Sequence, residues 1–125
     1  MSLLAPLGAI VRVWFPETES VLQPGPKFRP CLVLGIDSSS TSPTRVLVAY
    51  GTSQHTERHG LGEFVVKKTT VPQLDCDTKF CLTKALWLPL SGAYFASGGR
   101  QLQPVALPKS LYSELYEASR EAKLN

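Results

Sequence analysis

The fold of this chain is decided by residues 27–54, which read KFRPCLVLGI, then DSSSTSPT, then RVLVAYGTSQ. Two apolar runs rich in β-branched residues flank a polar loop, which predicts two neighbouring β-strands. If the strands pair in antiparallel fashion, the entry of the first lies beside the exit of the second. Arg29 would then meet Thr52 and Ser53 at one edge of a sheet. A guanidinium beside two hydroxyls is suited to binding a phosphodiester and to stabilising the charge that develops when it is cleaved.

Further strand-like segments lie on both sides of this stretch, and only the tail has apolar residues at helical spacing. Pro30 is expected to keep the second strand from being a central, fully paired element before Cys31, and Gly51 is expected to end the third strand. The predicted strands lie at residues 8–15, 31–36, 45–50 and 63–66, and residues 83–90 are expected to form a further strand pair or a strand and a turn. We therefore predict one mainly β domain over residues 1–125, a small barrel of five to seven strands with a C-terminal α-helix at about residues 108–123.

Composition and charge restrict the class of protein without identifying a partner. The 125 residues are 43% hydrophobic and 18% charged, which excludes a disordered chain and suits one domain around one core. The formal net charge of +3 permits a polyanionic partner but does not require one.

The cysteines and the N-terminus predict a compartment. An odd number of cysteines, three, favours a reducing environment. Cys31 is expected to be a small core residue, and Cys76 and Cys81 lack the paired spacing of a zinc site. The N-terminus has neither a basic leader nor a long apolar run. We therefore expect a cytoplasmic protein with no membrane segment, no metal and no cofactor.

Three segments together resemble the PemK/MazF family of type II toxin–antitoxin toxins: GAIVRVWFP at residues 8–16, KFRPCLVL at 27–34 and VLVAYGTSQ at 46–54. They occur in the family's order and cover roughly the first half of the chain. The resemblance implies an SH3-like barrel that works as a homodimer and is held inactive by a cognate antitoxin protein. It also implies metal-independent cleavage of single-stranded mRNA by a neighbouring 2′-hydroxyl, leaving a 2′,3′-cyclic phosphate and a 5′-hydroxyl.

The resemblance also assigns site residues. The family's arginine before a proline corresponds to Arg29, the threonine of its Thr-Ser pair to Thr52, and an aspartate after a cysteine to Asp77. Arg29 would clamp the scissile phosphate, Thr52 would hold the phosphate or the 2′-hydroxyl, and Asp77 or His55 would be the acid–base partner. The neighbouring residues expected to contact RNA are Lys27, Ser53, Gln54 and His55.

The chain departs from the family pattern at several points. Ala9 stands where the family usually has an aspartate, so a carboxylate is missing there. Tyr50 and Gly51 replace the usual proline and aliphatic residue ahead of the Thr-Ser pair. The loop at residues 17–26 is unusually rich in proline. Because this loop helps to cover the RNA groove in the family, the family's base preference is not assigned to this chain.

Each candidate residue also has a purely structural interpretation. Arg29 would be explained by an ion pair with Glu17 or Glu19, or by a hydrogen bond to a carbonyl oxygen at the sheet edge. Thr52 and Ser53 are equally suited to forming a turn through hydrogen bonds to nearby backbone.

The same ambiguity applies to the remaining polar residues. His55 and His59 lie four residues apart in one predicted loop, which is typical of exposed histidines and does not place them on opposite sides of a phosphate. Four lysines form either a basic rim around the groove or an ordinary solvated face: Lys67, Lys68, Lys79 and Lys84. The alternative function is a catalytically inactive barrel that binds nucleic acid or a protein partner without cleavage.

Overall fold

The computed structural model describes residues 3–18, 20–38, 44–58 and 60–124. The strands are β1 (Ala9–Trp14), β2 (Phe28–Asp37), β3 (Arg45–Thr52), β4 (Glu63–Val66), β5 (Thr78–Pro89) and β6 (Val105–Ala106). The helices are α1 (Gly92–Phe95), a 3₁₀ turn at Lys109–Leu111 and α2 (Tyr112–Glu121). All the strand pairs are antiparallel, and the order across the sheet is β4-β5-β3-β2-β1-β6. The sheet curls into a half-barrel, which confirms the predicted mainly β fold with a C-terminal helix.

Apolar side chains cover both faces of the sheet, because successive side chains on a strand point to opposite faces. The core on the α1 side includes Val11, Val13, Cys31, Val33, Val46, Val48, Leu88, Tyr94 and Phe95. The core on the α2 side includes Ile10, Leu32, Ala49, Phe64, Phe80, Leu82 and Ala118. Burial on both faces explains why residues 31–34 form a continuous apolar run instead of an alternating pattern.

The tail packs on the sheet as its helical spacing predicts. The core on the α2 side includes or is contacted by the apolar residues of the tail, namely Leu111, Leu115, Ala118 and Ala122. The α-helical part is shorter than predicted, because residues 109–111 form a 3₁₀ turn before α2 begins at Tyr112. In the part of the chain that the structure describes, no helix is long and apolar enough to cross a membrane.

The prediction that β2 is not fully paired before Cys31 is confirmed, although β2 begins earlier than predicted, at Phe28; the prediction that Gly51 ends β3 is wrong. Pro30 lies within β2 opposite Arg12 of β1, ahead of the first pair between β2 and β3 at Cys31. Since β2 is paired on one side only at that point, a missing N–H on the other side costs no ladder bond. Gly51 continues β3 opposite Phe80, where the lack of a side chain allows the neighbouring strands to approach closely.

The three cysteines differ in burial, and none of them forms a disulfide. Cys31 and Cys81 are buried and Cys76 is exposed, and all three thiols are free. Complete burial raises the pKa of Cys31 to about 12, so the thiol stays protonated and acts as a small apolar group. The expectation that Cys31 is a core residue is confirmed.

Candidate functional site

A cleft of about 460 Å³ opens where the β1–β2 loop lies over the start of β2, the end of β3 and the middle of β5. The loop is closed at its base, because the N–H of Gly25 donates a hydrogen bond of 3.2 Å to the carbonyl oxygen of Trp14. The rings of Trp14 and Phe28 also pack there, with centroids 4.9 Å apart. The cleft is lined by Phe15, Pro16, Glu17, Thr18, Pro26, Lys27, Arg29, Tyr50, Lys84 and Leu86.

The charge of the cleft is predominantly positive. Among the described residues of the lining, Lys27, Arg29 and Lys84 contribute three cations, and Glu17 contributes the single carboxylate. Among the described residues, none of these cations forms an ion pair with a carboxylate. Arg29 therefore does not form the ion pair with Glu17 that would explain it structurally. Glu19, the other carboxylate considered, lies outside the described residues. The cations remain available to an anionic ligand.

The strand register brings Arg29 and Thr52 to the same edge of the sheet. Cys31 lies opposite Tyr50, and the same register continued by two residues places Arg29 opposite Thr52. The strands stay close beyond the last pair, because a Cβ atom on Gly51 would lie 2.3 Å from the carbonyl oxygen of Pro30. The expected antiparallel arrangement of the two strands is confirmed. Thr52 is not among the lining residues and lies beyond the end of the cleft.

The segment after β3 is a turn that Thr52 itself stabilises. The hydroxyl oxygen of Thr52 accepts a hydrogen bond of 3.1 Å from the backbone N–H of Gln54. Ser53, Gln54 and His55 are exposed, and His55 has a left-handed backbone with φ of 56°. Its Nδ1 lies 3.1 Å from a guanidinium nitrogen of Arg58. The turn-forming interpretation of Thr52 is thus confirmed, and its hydroxyl keeps the capacity for a further hydrogen bond.

Asp77 lies in a different place from the cleft. It is exposed just before β5, where its Oδ1 accepts a hydrogen bond of 2.8 Å from the backbone N–H of Lys68. Neither Asp77 nor His55 is among the residues that line the cleft, so the structure does not bring the two predicted acid–base partners to Arg29. His59, the other histidine, lies outside the described residues.

The lysines of the predicted basic rim divide into different roles. Lys84 lines the cleft, whereas the ammonium of Lys79 is buried elsewhere. Lys79 donates hydrogen bonds of 3.2 and 2.9 Å to the carbonyl oxygens of His55 and Arg58, and it lies 3.4 Å from a carboxylate oxygen of Glu63. Lys79 therefore anchors the loop that follows Thr52 and is not free to bind a ligand.

Glu63 completes this anchor. Its Oε1 also accepts a hydrogen bond of 2.7 Å from the backbone N–H of Gly60. Burial alone would raise the pKa of Glu63, but the hydrogen bond from Gly60 and the charge of Lys79 outweigh burial and lower the pKa below its usual value. Glu63 is thus held as a carboxylate, which keeps the loop after Thr52 attached to β5.

Sequence reasoning did not identify Glu17 and Tyr50 as site residues. Tyr50 carried a signal, because it departs from the family pattern next to the Thr-Ser pair. Lys84 was named with three other lysines as a possible basic rim, and its local sequence does not show that it is the one that lines the cleft. In comparisons with known proteins, no family model and no curated protein matches this chain. The resemblance to PemK/MazF toxins therefore stays a prediction.

Proposed function

We propose that this chain is the toxin of a type II toxin–antitoxin system, an endoribonuclease that cleaves single-stranded mRNA without a metal. The observation that carries the proposal is the half-buried guanidinium of Arg29, which lies in a cationic cleft and has no carboxylate partner among the described residues. A planar guanidinium that stays charged and offers two parallel donors is suited to a phosphodiester.

The proposed reaction rearranges one phosphodiester and needs no outside reactant. The 2′-hydroxyl oxygen attacks the adjacent phosphorus, the bond from phosphorus to the 5′-oxygen breaks, and the released oxygen takes up a proton. The products are a 2′,3′-cyclic phosphate and a 5′-hydroxyl. Arg29 binds the phosphate oxygens and stabilises the additional negative charge of the transition state. Thr52, on the neighbouring strand, holds the phosphate or the 2′-hydroxyl.

Incubation of the purified protein with mixed-sequence single-stranded RNA in EDTA tests this proposal. We expect cleavage to persist in EDTA and every new end to carry a 2′,3′-cyclic phosphate or a 5′-hydroxyl. The same RNA with 2′-O-methyl groups throughout lacks the nucleophile and should stay intact. Cleavage that requires an added metal, or that proceeds on the methylated RNA, would contradict the mechanism.

Glu17 is the group that we assign to accept the proton of the 2′-hydroxyl, since it is the one carboxylate that lines the cleft in the described part of the chain. Asp77 and His55, the partners expected from the sequence, lie elsewhere. Glu17→Gln keeps the shape of the side chain and removes its basicity. We expect it to lower the cleavage rate about 100-fold without weakening RNA binding.

The control for this prediction is Glu114→Gln, which removes a carboxylate from the exposed surface of α2. It should cleave RNA at the rate of the wild type. Single-turnover rates at saturating protein separate the chemical step from binding. Equal rates for Glu17→Gln and Glu114→Gln would exclude Glu17 as the base.

The second candidate function is a barrel that binds nucleic acid without cleaving it. The position of Asp77 favours this alternative, because its carboxylate accepts a backbone hydrogen bond outside the cleft and the cations remain without the predicted acid–base partner. RNA that is bound but recovered intact after hours of incubation would support the binding function over the endoribonuclease.

The proposed function also implies partners and a location. A cognate antitoxin with an acidic segment would complement the cations of the cleft and block access to Arg29. We further propose a homodimer in the cytoplasm, as the resemblance implies. A short acidic protein encoded beside this chain, whose co-expression abolishes cleavage, is the expected finding.

A further inference from the structure

Tyr50 lines the cleft, and two cations lie over its ring. The guanidinium carbon of Arg29 is 4.9 Å from the ring centroid, and the ammonium nitrogen of Lys84 is 5.6 Å from it. Both distances are within the range of attraction between a cation and an aromatic ring. The ring of Phe15 supports Tyr50 from the side, with centroids 5.5 Å apart. The positions of the two cations are therefore linked through one side chain.

An irregularity in β5 brings Lys84 to this ring. Ala49 pairs with Ala85, but the next residue, Tyr50, pairs with Cys81. Residues 82–84 therefore lie between two consecutive pairs of the ladder. Extra residues of this kind bend a strand and redirect its side chains, and they are common beside functional sites. Lys84 reaches the cleft because of this insertion.

Two cations that share one ring repel each other unless an anion lies between them. Among the described residues, no carboxylate forms an ion pair with Arg29 or Lys84. Glu17 lines the same cleft but is not paired with either cation. The arrangement therefore favours a ligand that supplies at least two negative charges close together, and consecutive phosphates of one strand have this property.

We propose that Lys84 is a second phosphate-binding residue, which binds the phosphate next to the one that Arg29 holds, and that Tyr50 is the positioning residue for both cations. This inference rests on the proposed function. Arg29 acts on the phosphate that reacts, whereas Lys84 holds a phosphate that does not. Loss of Lys84 therefore weakens binding of the RNA, and loss of Arg29 slows its cleavage.

Binding of a 2′-O-methyl RNA oligonucleotide, which cannot be cleaved, tests the role of Lys84. We expect Lys84→Gln to weaken binding about tenfold and to reduce the slope of log K against log salt concentration by about 0.7, the value for one phosphate contact on a single strand. Lys84 is exposed, so this substitution leaves the fold intact. The matched control is Lys109→Gln, which removes an exposed lysine at the start of the 3₁₀ turn.

Two substitutions of Tyr50 test its positioning role. Tyr50→Phe keeps the ring and should bind like the wild type, whereas Tyr50→Leu removes the ring. Tyr50→Leu should weaken binding as much as Lys84→Gln does and should also lower kcat, because Arg29 loses the same support. Cleavage of unmodified RNA separates the roles further. Lys84→Gln should raise KM about tenfold and leave kcat within about twofold, because its contact is the same in the ground state and the transition state.

The outcomes separate this inference from the proposed function. If the wild type cleaves RNA and Lys84→Gln has the affinity and salt slope of Lys109→Gln, the second phosphate site is wrong and the proposed function stands. A large loss of kcat in Lys84→Gln would also overturn it, since Lys84 would then act on the reacting phosphate. If the wild type neither binds nor cleaves RNA, the proposed function and this inference fall together.

Discussion

Arg29→Ala should lower the rate of RNA cleavage about 1,000-fold, which is the size of effect seen when a donor to a charged transition state is removed. Arg29 lies in the cleft beside Lys27 and Lys84, but these ammonium groups lack its planar pair of donors. Arg29→Lys should therefore recover only part of the rate, because it restores the charge without the bidentate geometry. Single-turnover cleavage in EDTA measures both variants.

The control for Arg29 is Arg100→Ala, which removes the same charge from an exposed position outside the cleft. It should cleave at the rate of the wild type, and thermal unfolding of all three variants should show that they are folded. If Arg29→Ala cleaves RNA as fast as Arg100→Ala, the guanidinium does not stabilise the transition state and the proposed site is wrong.

Gly51→Ala should lower the free energy of unfolding by about 3 kcal/mol, the upper part of the range for overpacking a buried site. A Cβ atom on Gly51 would lie 2.3 Å from the carbonyl oxygen of Pro30, 3.0 Å from a ring carbon of Phe80 and 3.1 Å from the methyl carbon of Thr78. Pro30 contributes a backbone atom, which cannot move away as the end of a flexible side chain can. β2 and β3 must therefore separate between Arg29 and Thr52.

Urea denaturation measures this loss, and Gly92→Ala provides the matched control. A Cβ atom on Gly92 would lie 4.0 Å from the Cβ of Ala96, an ordinary van der Waals contact, so the added methyl group fits without strain. Gly92 is the first residue of α1, where alanine is at least as favourable as glycine. Equal midpoints for Gly51→Ala and Gly92→Ala would show that the strands adapt to a side chain at position 51.

The pairing of β2 with β3 follows from local sequence, because it depends on two apolar runs that are adjacent in the chain. The apolar run at residues 31–34 has to be buried on both sides, and the run of residues 46–50 is next along the chain. Consecutive strands joined by a short polar loop pair in antiparallel fashion, so the approach of Arg29 to Thr52 could be predicted. The packing of the C-terminal helix was also predictable, since the spacing of Leu115 and Ala118 defines the face of α2 that packs on the sheet.

The error at Gly51 arises because a neighbouring strand decides the outcome. Gly51 was expected to end β3 because glycine has low strand propensity. Gly51 is instead required within β3, because the carbonyl oxygen of Pro30 in β2 approaches it closely. This approach cannot be read from the residues that flank Gly51.

The sequence by itself determined the mainly β fold, its C-terminal helix and, within the candidate site, the approach of Arg29 to Thr52. Each of these depends on the spacing of apolar residues or on strands that are adjacent in the chain. Only the tertiary structure decided which other side chains join Arg29. Lys84 reaches Tyr50 through an irregularity in β5, and Asp77 is held away by its hydrogen bond to Lys68. The physical reason is that contacts between distant segments depend on the register and curvature of the whole sheet, which no short stretch of sequence encodes.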